Sequence, residues 1–484
     1  MTEQPPTLPL VLLLLILLLG GCSSAGGPDA PGTTAAPAAE LAIANVTVID
    51  AAAGSRRNRT LLITDGRIVG ELDQTASFSA QRTIDGSGRY LIPGLWDMHV
   101  HVTYEPALKD GLADLFLDYG ITSVRDTGGL LPLLEPVVER WRSAAATAPN
   151  LYFSGPLLDG SRVVYDGDDR PEIGTANPDA ATAQRNVATL ERAGADFIKI
   201  YELVSPEVFV ALADAADAAG LPIAAHVPLS LDASQAGARL DSLEHLRNLE
   251  LACSEHADEL LAERRQRLED DTELSGYALR STLHREQRSR AFTALDVDSD
   301  RCQAVLVHYQ NTTQVPTLRL NTISRFSPAA RPDWTRALAD LPQPLADTWL
   351  RTARYYAERP NELGLKSAAW SLTLVNAMHE RGIAIGAGTD TPIAQAIPGY
   401  SLHTELERLV AAGLAPLAAL DAATRIPARF LGLDQEVGSI STGQRADLLL
   451  LRADPLTAIE NTRQIDLVIL GGRVVRSFSE GEDS

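Results

Sequence analysis

Cysteine is scarce in this chain: Cys22, Cys253 and Cys302 are the only three in 484 residues. At most one intramolecular bridge can form. Long apolar runs are missing too. The leucine-rich stretch 10–19 spans ten residues, about half of the roughly 20 that a membrane-spanning helix needs, and it suits the core of a signal peptide. Positive charge is also short: 42 Lys and Arg stand against 63 Asp and Glu, a net charge of −21 at pH 7. No run of basic residues interrupts this acidity, and a phosphate backbone would be repelled, so nucleic acid is excluded as a partner class. The acidity reads as a solubility feature. No repeat of fixed period is present, and no low-complexity tract beyond the one that follows the apolar run.

What is there begins at the N-terminus. The apolar core runs into Leu19-Gly20-Gly21-Cys22, then into Ser, Gly, Pro, Thr and Ala. Small residues before a cysteine, directly after such a core, resemble the lipobox of bacterial lipoproteins. The resemblance implies a signal peptide over 1–21 and acylation of Cys22. It also implies a flexible tether over 22–40 and export to the periplasmic or cell-surface side, with the membrane touched only through the lipid. One feature departs from that pattern: Glu3 precedes the core, with no Lys or Arg. With Cys22 assigned to the anchor, Cys253 and Cys302 form an even pair in an oxidising compartment. A disulfide between them is expected, and two unrelated buried thiols are the alternative.

Residues 41–91 read as short strands with turns, as in LAIANVTVID and RIVGEL, and 436–484 read the same way. Strand-rich segments at opposite ends commonly pair, which predicts one small β-sandwich domain built from both. Between them, over 92–435, apolar runs alternate with helical stretches. The runs are LWDMHVHV, ITSVRDTG, LYFSGP, DFIKIYE, LPIAAHVP, DSLEHL, QVPTLRL and IAIGAGTD. Eight such repeats predict an α/β fold of the closed (β/α)₈ TIM-barrel type. Two stretches, about 254–300 and 321–380, are too long for simple connections and are expected as helical insertions over the catalytic end of the barrel.

Alternate residues of a strand share a side, so His99 and His101 in DMHVH project together into the barrel. Alone that spacing is weak. The constellation is stronger: of nine histidines, four fall near the carboxyl ends of predicted strands, His226 and His245 being the others. Lys199 sits inside the apolar strand DFIKIY, where an unpaired ammonium is costly to bury. Asp390 ends the equally apolar IAIGAGTD. Four imidazoles, an amine and a carboxylate aimed at one barrel mouth suit a pair of divalent metals.

These residues, with the flanking text LIPGLWDMHVH, AGADFIKIY, AAHVP, SLEHL, GAGTDT and GQRADLLLL, resemble the amidohydrolase superfamily in its imidazolonepropionase-like and prolidase-like branch. The resemblance runs from about residue 41 to the last strands. It implies that His99, His101 and Asp390 hold one metal and that His226 and His245 hold the second. Lys199, carboxylated on its amine by CO₂, would bridge both. Zinc is the first candidate. Two dications, a carbamate, an aspartate and a bridging hydroxide sum to a net charge of +1, which favours a polarised carbonyl or an anion. The implied reaction is hydrolysis of a C–N bond in a small peptide-like or cyclic amide, with Asp390 as general base and then general acid.

Other residues carry weaker expectations. Tyr104, Tyr201 and His403 are candidates for substrate contact, and Glu405 shares the helix start with His403. Arg125 and Asp126 are expected to form a structural ion pair. His256, His284, His308 and His379 are assigned nothing. The same metals could serve a lactone, a phosphotriester or a ring deamination. Outside enzymes the rival is an exported metal- or solute-binding lipoprotein on an inactive barrel. The partner expected is a small-molecule substrate, and the oligomeric state is left open.

Overall fold

A computed structural model describes residues 38–143, 147–168, 170–270, 273–293, 295–359 and 361–478. The signal peptide, Cys22 and the tether up to residue 37 lie outside the described residues. The tether is shorter than its expected span, because Ala38, Ala39 and Glu40 already belong to the first strand.

Both ends of the described chain enter one sheet. Its strands are β1 (Ala38–Asp50), β2 (Gly54–Thr64), β3 (Arg67–Asp73), β4 (Ser79–Asp85) and β5 (Tyr90–Pro93) from the N-terminal side. Strand β5 pairs antiparallel with Leu448–Leu451, which continues the sheet into Ile465–Leu470 and Arg473–Ser477. The expected two-layer sandwich is corrected to a single hydrogen-bonded sheet of eight strands. The LLLL run explains how it sits. All four leucines are buried, yet Leu448 and Leu450 pack with Ile43, Ile63 and Leu91, whereas Leu449 and Leu451 point into the main core. Alternation along the strand therefore fastens the sheet to the rest of the molecule, each buried leucine contributing about 1.5–3 kcal/mol.

The central layer is parallel. It comprises β6 (Leu95–Val100), β7 (Ile121–Asp126), β8 (Asn150–Phe153), β9 (Leu157–Asp159), β10 (Gly174–Ala176), β11 (Ile198–Ile200), β12 (Ile223–Ala225), β13 (Ser242–Glu244) and β14 (Thr313–Val315). The three C-terminal strands named above are then β15, β16 and β17 in chain order. Helices follow the strands and cover the layer. The helix Pro206–Ala219 shows why: Ser205 caps Val208 N, Pro206 opens the first turn, and Gly220 at φ 68° closes the last. Its Val208, Phe209, Leu212 and Ala216 are buried in the main core.

Among the described residues the central strands do not form one continuous ladder. They fall into β6-β7-β8 and β10-β9-β11-β12-β13-β14. The eighth expected strand, IAIGAGTD, is not regular; it makes single parallel bridges, Gln314 with Ile385 and Val100 with Thr391. Main-chain hydrogen bonds nonetheless reach both neighbours, from Gly386 N to Gln314 O (2.8 Å) and from Met98 N to Ala387 O (2.9 Å). Two features break regularity. A Cβ on Gly388 would lie 2.6 Å from Val315 Cγ1, and Asp390 takes a left-handed φ of 62°. The segment is squeezed between β14 and β6 and then turns out of the extended conformation where its carboxylate is needed.

The first expected insertion forms the helices Ala257–Asp270 and Gly276–Ala291, before Asp300–Val307. Cys253 and Cys302 are joined by a disulfide that brackets them. The second forms Pro332–Ala337, Gln343–Ala357 and Glu362–Glu380. No helix among the described residues is long and apolar enough to cross a membrane.

Candidate metal centre

His99, His101, Lys199, His226, His245 and Asp390 line one cavity of about 130 Å³ at the carboxyl ends of the central strands. All six are buried. His99 Nε2 and His101 Nε2 each lie 3.3 Å from Asp390 Oδ1. The ligand atoms of these three residues lie within 4.8 Å of one another, a possible His-His-Asp metal site. The other imidazoles continue the cluster: ring centroids are 4.4 Å apart for His99 and His245, and 5.0 Å for His226 and His245. His245 and Asp390 both sit at positive φ, 61° and 62°. Such strain persists only where the surroundings over-determine it, which is common at functional sites.

The imidazoles are oriented from behind. His99 Nδ1 donates to Glu244 Oε2 (2.6 Å), His226 Nδ1 to Glu202 Oε1 (2.8 Å) and His101 Nδ1 to the Gly128 carbonyl (3.1 Å). His245 Nδ1 meets the Thr317 hydroxyl at 2.7 Å. With the Nδ1 proton so engaged, each Nε2 lone pair is left for the cavity, the arrangement that ligating histidines use. Burial, with Lys199 nearby, holds His226 well below its ordinary pKa, and burial does the same to His245. Burial raises the Asp390 carboxyl, but His245, His101 and His99 outweigh it and hold it well below the usual carboxylate range.

Lys199 differs from the rest. Its Nζ is buried and has no hydrogen-bond partner among the described residues, and burial pushes its amine down to about 7. A buried amine with no acceptor is costly as an ammonium. The chemistry of the His99, His101 and Asp390 donor set fits a divalent-metal site.

Tyr201 also lines the cavity, 4.6 Å from the His226 ring between centroids. Tyr104 stands just outside the lining, 6.1 Å from His101 and 6.4 Å from Tyr165. His403 is corrected. It is buried and bonded on both nitrogens, to Thr462 Oγ1 and the Tyr119 carbonyl, both at 2.9 Å. It fastens its helix internally and does not line the cavity of the six residues. Glu405 likewise accepts from Leu318 N and Arg319 N. Arg125 and Asp126 do not pair with each other. Arg125 donates to Glu244 Oε1 (2.6 Å), Ser242 Oγ (3.0 Å) and the Met98 carbonyl. Asp126 accepts from Val102 N and Gly128 N.

Sequence reasoning missed Glu202, Glu244, Tyr165, Arg247, Arg280 and His284. Glu202 and Glu244 carried a usable signal: each is a carboxylate at the end of an apolar strand that already holds a candidate, IKIYE and SLEH. Arg280 and His284 come from the first insertion, where nothing in the pattern points to the cavity.

The amidohydrolase family model matches residues 365–475, which include Asp390 and the C-terminal strands. An adenine deaminase of Geobacillus kaustophilus is 33% identical over 86 residues, covering 18% of this chain and 14% of that protein. The chain thus spans only about a seventh of the length of the curated relatives it matches. Over these segments the chain is similar to amidohydrolase-family proteins. The fold is similar over nearly the whole chain to two solved structures. A bottromycin amidohydrolase has a TM-score of 0.66 at 24% identity, covering 90% of this chain and 86% of that one. A Xaa-Pro dipeptidase with bound methionine has 0.64 at 18%, covering 90% and 100%. Structures of the superfamily's kind imply a TIM barrel with an additional domain.

Proposed function

We propose that this chain is a metal-dependent hydrolase that cleaves the C–N bond of a small amide on a closed (β/α)₈ barrel. The outer sheet, whose strands run from Ala38 to Pro93 and from Leu448 to Ser477, would act as a separate small domain. The observation that carries the reading is the buried, unpartnered Lys199 amine inside a cavity walled by four imidazoles and Asp390. His99, His101 and Asp390 would hold one ion, and His226 and His245 the second. Lys199 Nζ, held toward its neutral form by burial, would form an N–C bond to CO₂ and release a proton to solvent, leaving a carbamate anion that could serve both positions. Two divalent ions, zinc first among candidates, supply an acidified water and Lewis-acid polarisation of the scissile carbonyl when bound there. Asp390, ionised in this environment, accepts the proton of the attacking water and delivers it to the leaving nitrogen. Tyr201, which lines the cavity beside His226, is the candidate hydrogen-bond donor to the scissile carbonyl.

The names of the structural neighbours, an amidohydrolase and a dipeptidase, favour an amide substrate. A second reading, ring deamination, has the adenine deaminase match in its favour. The test is turnover by zinc- and bicarbonate-loaded protein against dipeptides, cyclic amides, lactones, phosphotriesters and adenine. Cleavage of an amide that a chelator abolishes is expected. Turnover of adenine alone moves the reading to deamination, and no turnover at all favours a binding lipoprotein.

We also propose export as a lipoprotein through Cys22, on the strength of the Leu19-Gly20-Gly21-Cys22 motif. The Cys253–Cys302 disulfide fits an oxidising compartment. Cys22→Ser is expected to release the protein from the membrane fraction or leave the precursor uncleaved. Unchanged membrane association contradicts lipidation there.

A further inference from the structure

The short helix Leu318–Asn321, just after β14, is bonded toward both His245 and Asp390. Thr317 stands at its start, fully buried, at a left-handed φ of 44°. A threonine in that place ordinarily caps the first free N–H groups of its helix. Here its side chain makes no such bond, and its hydroxyl meets His245 Nδ1 at 2.7 Å instead. Asn321 Nδ2 adds bonds to the His245 carbonyl (2.9 Å) and the Pro316 carbonyl (2.8 Å).

The capping is done from outside. Glu405, on the helix Tyr400–Ala411, is fully buried and gives one oxygen to each donor: Oε1 accepts from Leu318 N (2.8 Å) and Oε2 from Arg319 N (2.6 Å). Its own helix is tied down on both sides. His403 is bonded to Thr462 and Tyr119, and Glu407 accepts from Arg331 and Arg463.

Arg319 carries the anchor to the other end of the cavity. Its side chain, 7% exposed as a residue, donates to the carbonyls of Thr389 (3.1 Å), Ile393 (2.8 Å) and Ala394 (2.7 Å). These bonds brace the turn before and after Asp390. Ala394 and Gln395 sit at φ 51° and 57°, a conformation that residues with a Cβ rarely adopt and that holds only where neighbours enforce it. Leu320 and Ile393, one from each braced segment, line the cavity.

We infer that Glu405 and Arg319 are positioning residues of the metal centre. Glu405 takes over the helix cap and so frees the Thr317 hydroxyl for His245, while Arg319 holds the turn that presents Asp390. One clasp thereby sets a ligand of the second ion and the proton-moving carboxylate against each other. This inference rests on the metal-hydrolase reading of the cavity.

The test is the visible spectrum of the cobalt-loaded full chain, since zinc is silent and cobalt bands report ligand geometry. Arg319→Lys offers a point charge that cannot span three carbonyls. Glu405→Gln turns an amide nitrogen toward one of the two N–H donors. Each should shift the cobalt bands at wild-type cobalt content. On an amide that the wild type cleaves, kcat should fall about 10–100-fold with KM unchanged. Thr317→Val removes only the hydroxyl facing His245 and should shift the bands even where the clasp variants fail to fold; Thr317→Ser should restore them. Lower thermal stability with unchanged bands and kcat would show a brace of the fold alone and overturn the inference. A raised KM at wild-type kcat, or wild-type bands in Thr317→Val, would overturn it as well. The bands need no turnover, so an inactive wild-type chain with bound cobalt fails the hydrolase reading and leaves the bands to judge the clasp. A wild-type chain that binds no cobalt overturns both.

Discussion

The two sides of the cavity are built by different means. On the His99 side every contributor comes from a central strand or its immediate end, and the buttress, Glu244, sits on β13 beside Arg125 of β7. On the His226 side the buttress, Glu202, is held by Arg280 and His284 from an insertion that a disulfide brackets. The first side is rigid because the layer itself is. The second is rigid only while the insertion stays docked.

Breaking the first buttress should have the largest effect. Glu244 accepts from His99, Arg125 and Ser242 with nothing exposed, and Arg125 is 1% exposed. Glu244→Gln leaves the Arg125 guanidinium buried and unpaired, a loss of about 3–5 kcal/mol in stability by denaturant titration. The double variant Glu244→Gln, Arg125→Met should recover most of it, because no buried charge is then stranded. A single variant as stable as wild type would show that the His99 side is not held as described.

A smaller effect is expected from the second buttress. Glu202→Gln weakens the acceptor for His226 Nδ1, which should lower zinc affinity about 10–100-fold. Only one of two bound ions should be affected, with the His99-side ion retained in competition with a chelator. Equal loss of both ions would dissolve the distinction between the sides.

The same contrast governs what the sequence made legible. His99 and His101 are marked by period-two spacing on a strand, and Lys199 and Asp390 by being lone charges in apolar strands. These marks are local, and the structure brings the residues into one cavity. Glu202 and Glu244 satisfied the same criterion of a charge in an apolar strand and went unread, since no ligand role was sought for them. Arg280 had no local mark at all, because its position depends on how an insertion docks. His403 misled for the converse reason: a polar residue after a strand resembles a site residue until its two internal partners are seen. In the fold, IAIGAGTD has a strand's composition, but Gly388 lets it pass too close to its neighbours for regular pairing. The two-ended outer sheet was signalled by alternation, whereas its single layer depended on β15 joining β5 edge to edge.

The account turns on Lys199, whose amine is proposed to link the two metal positions. Zinc stoichiometry by elemental analysis, in wild type and Lys199→Ala, tests this most directly. Wild-type protein loaded with bicarbonate is expected to hold two ions per chain. Lys199→Ala should fall well below two and lose nearly all activity, part of which acetate or propionate restores by filling the vacated space. A wild-type chain that is fully active with one ion regardless of CO₂, or a Lys199→Ala variant that keeps both, would contradict it.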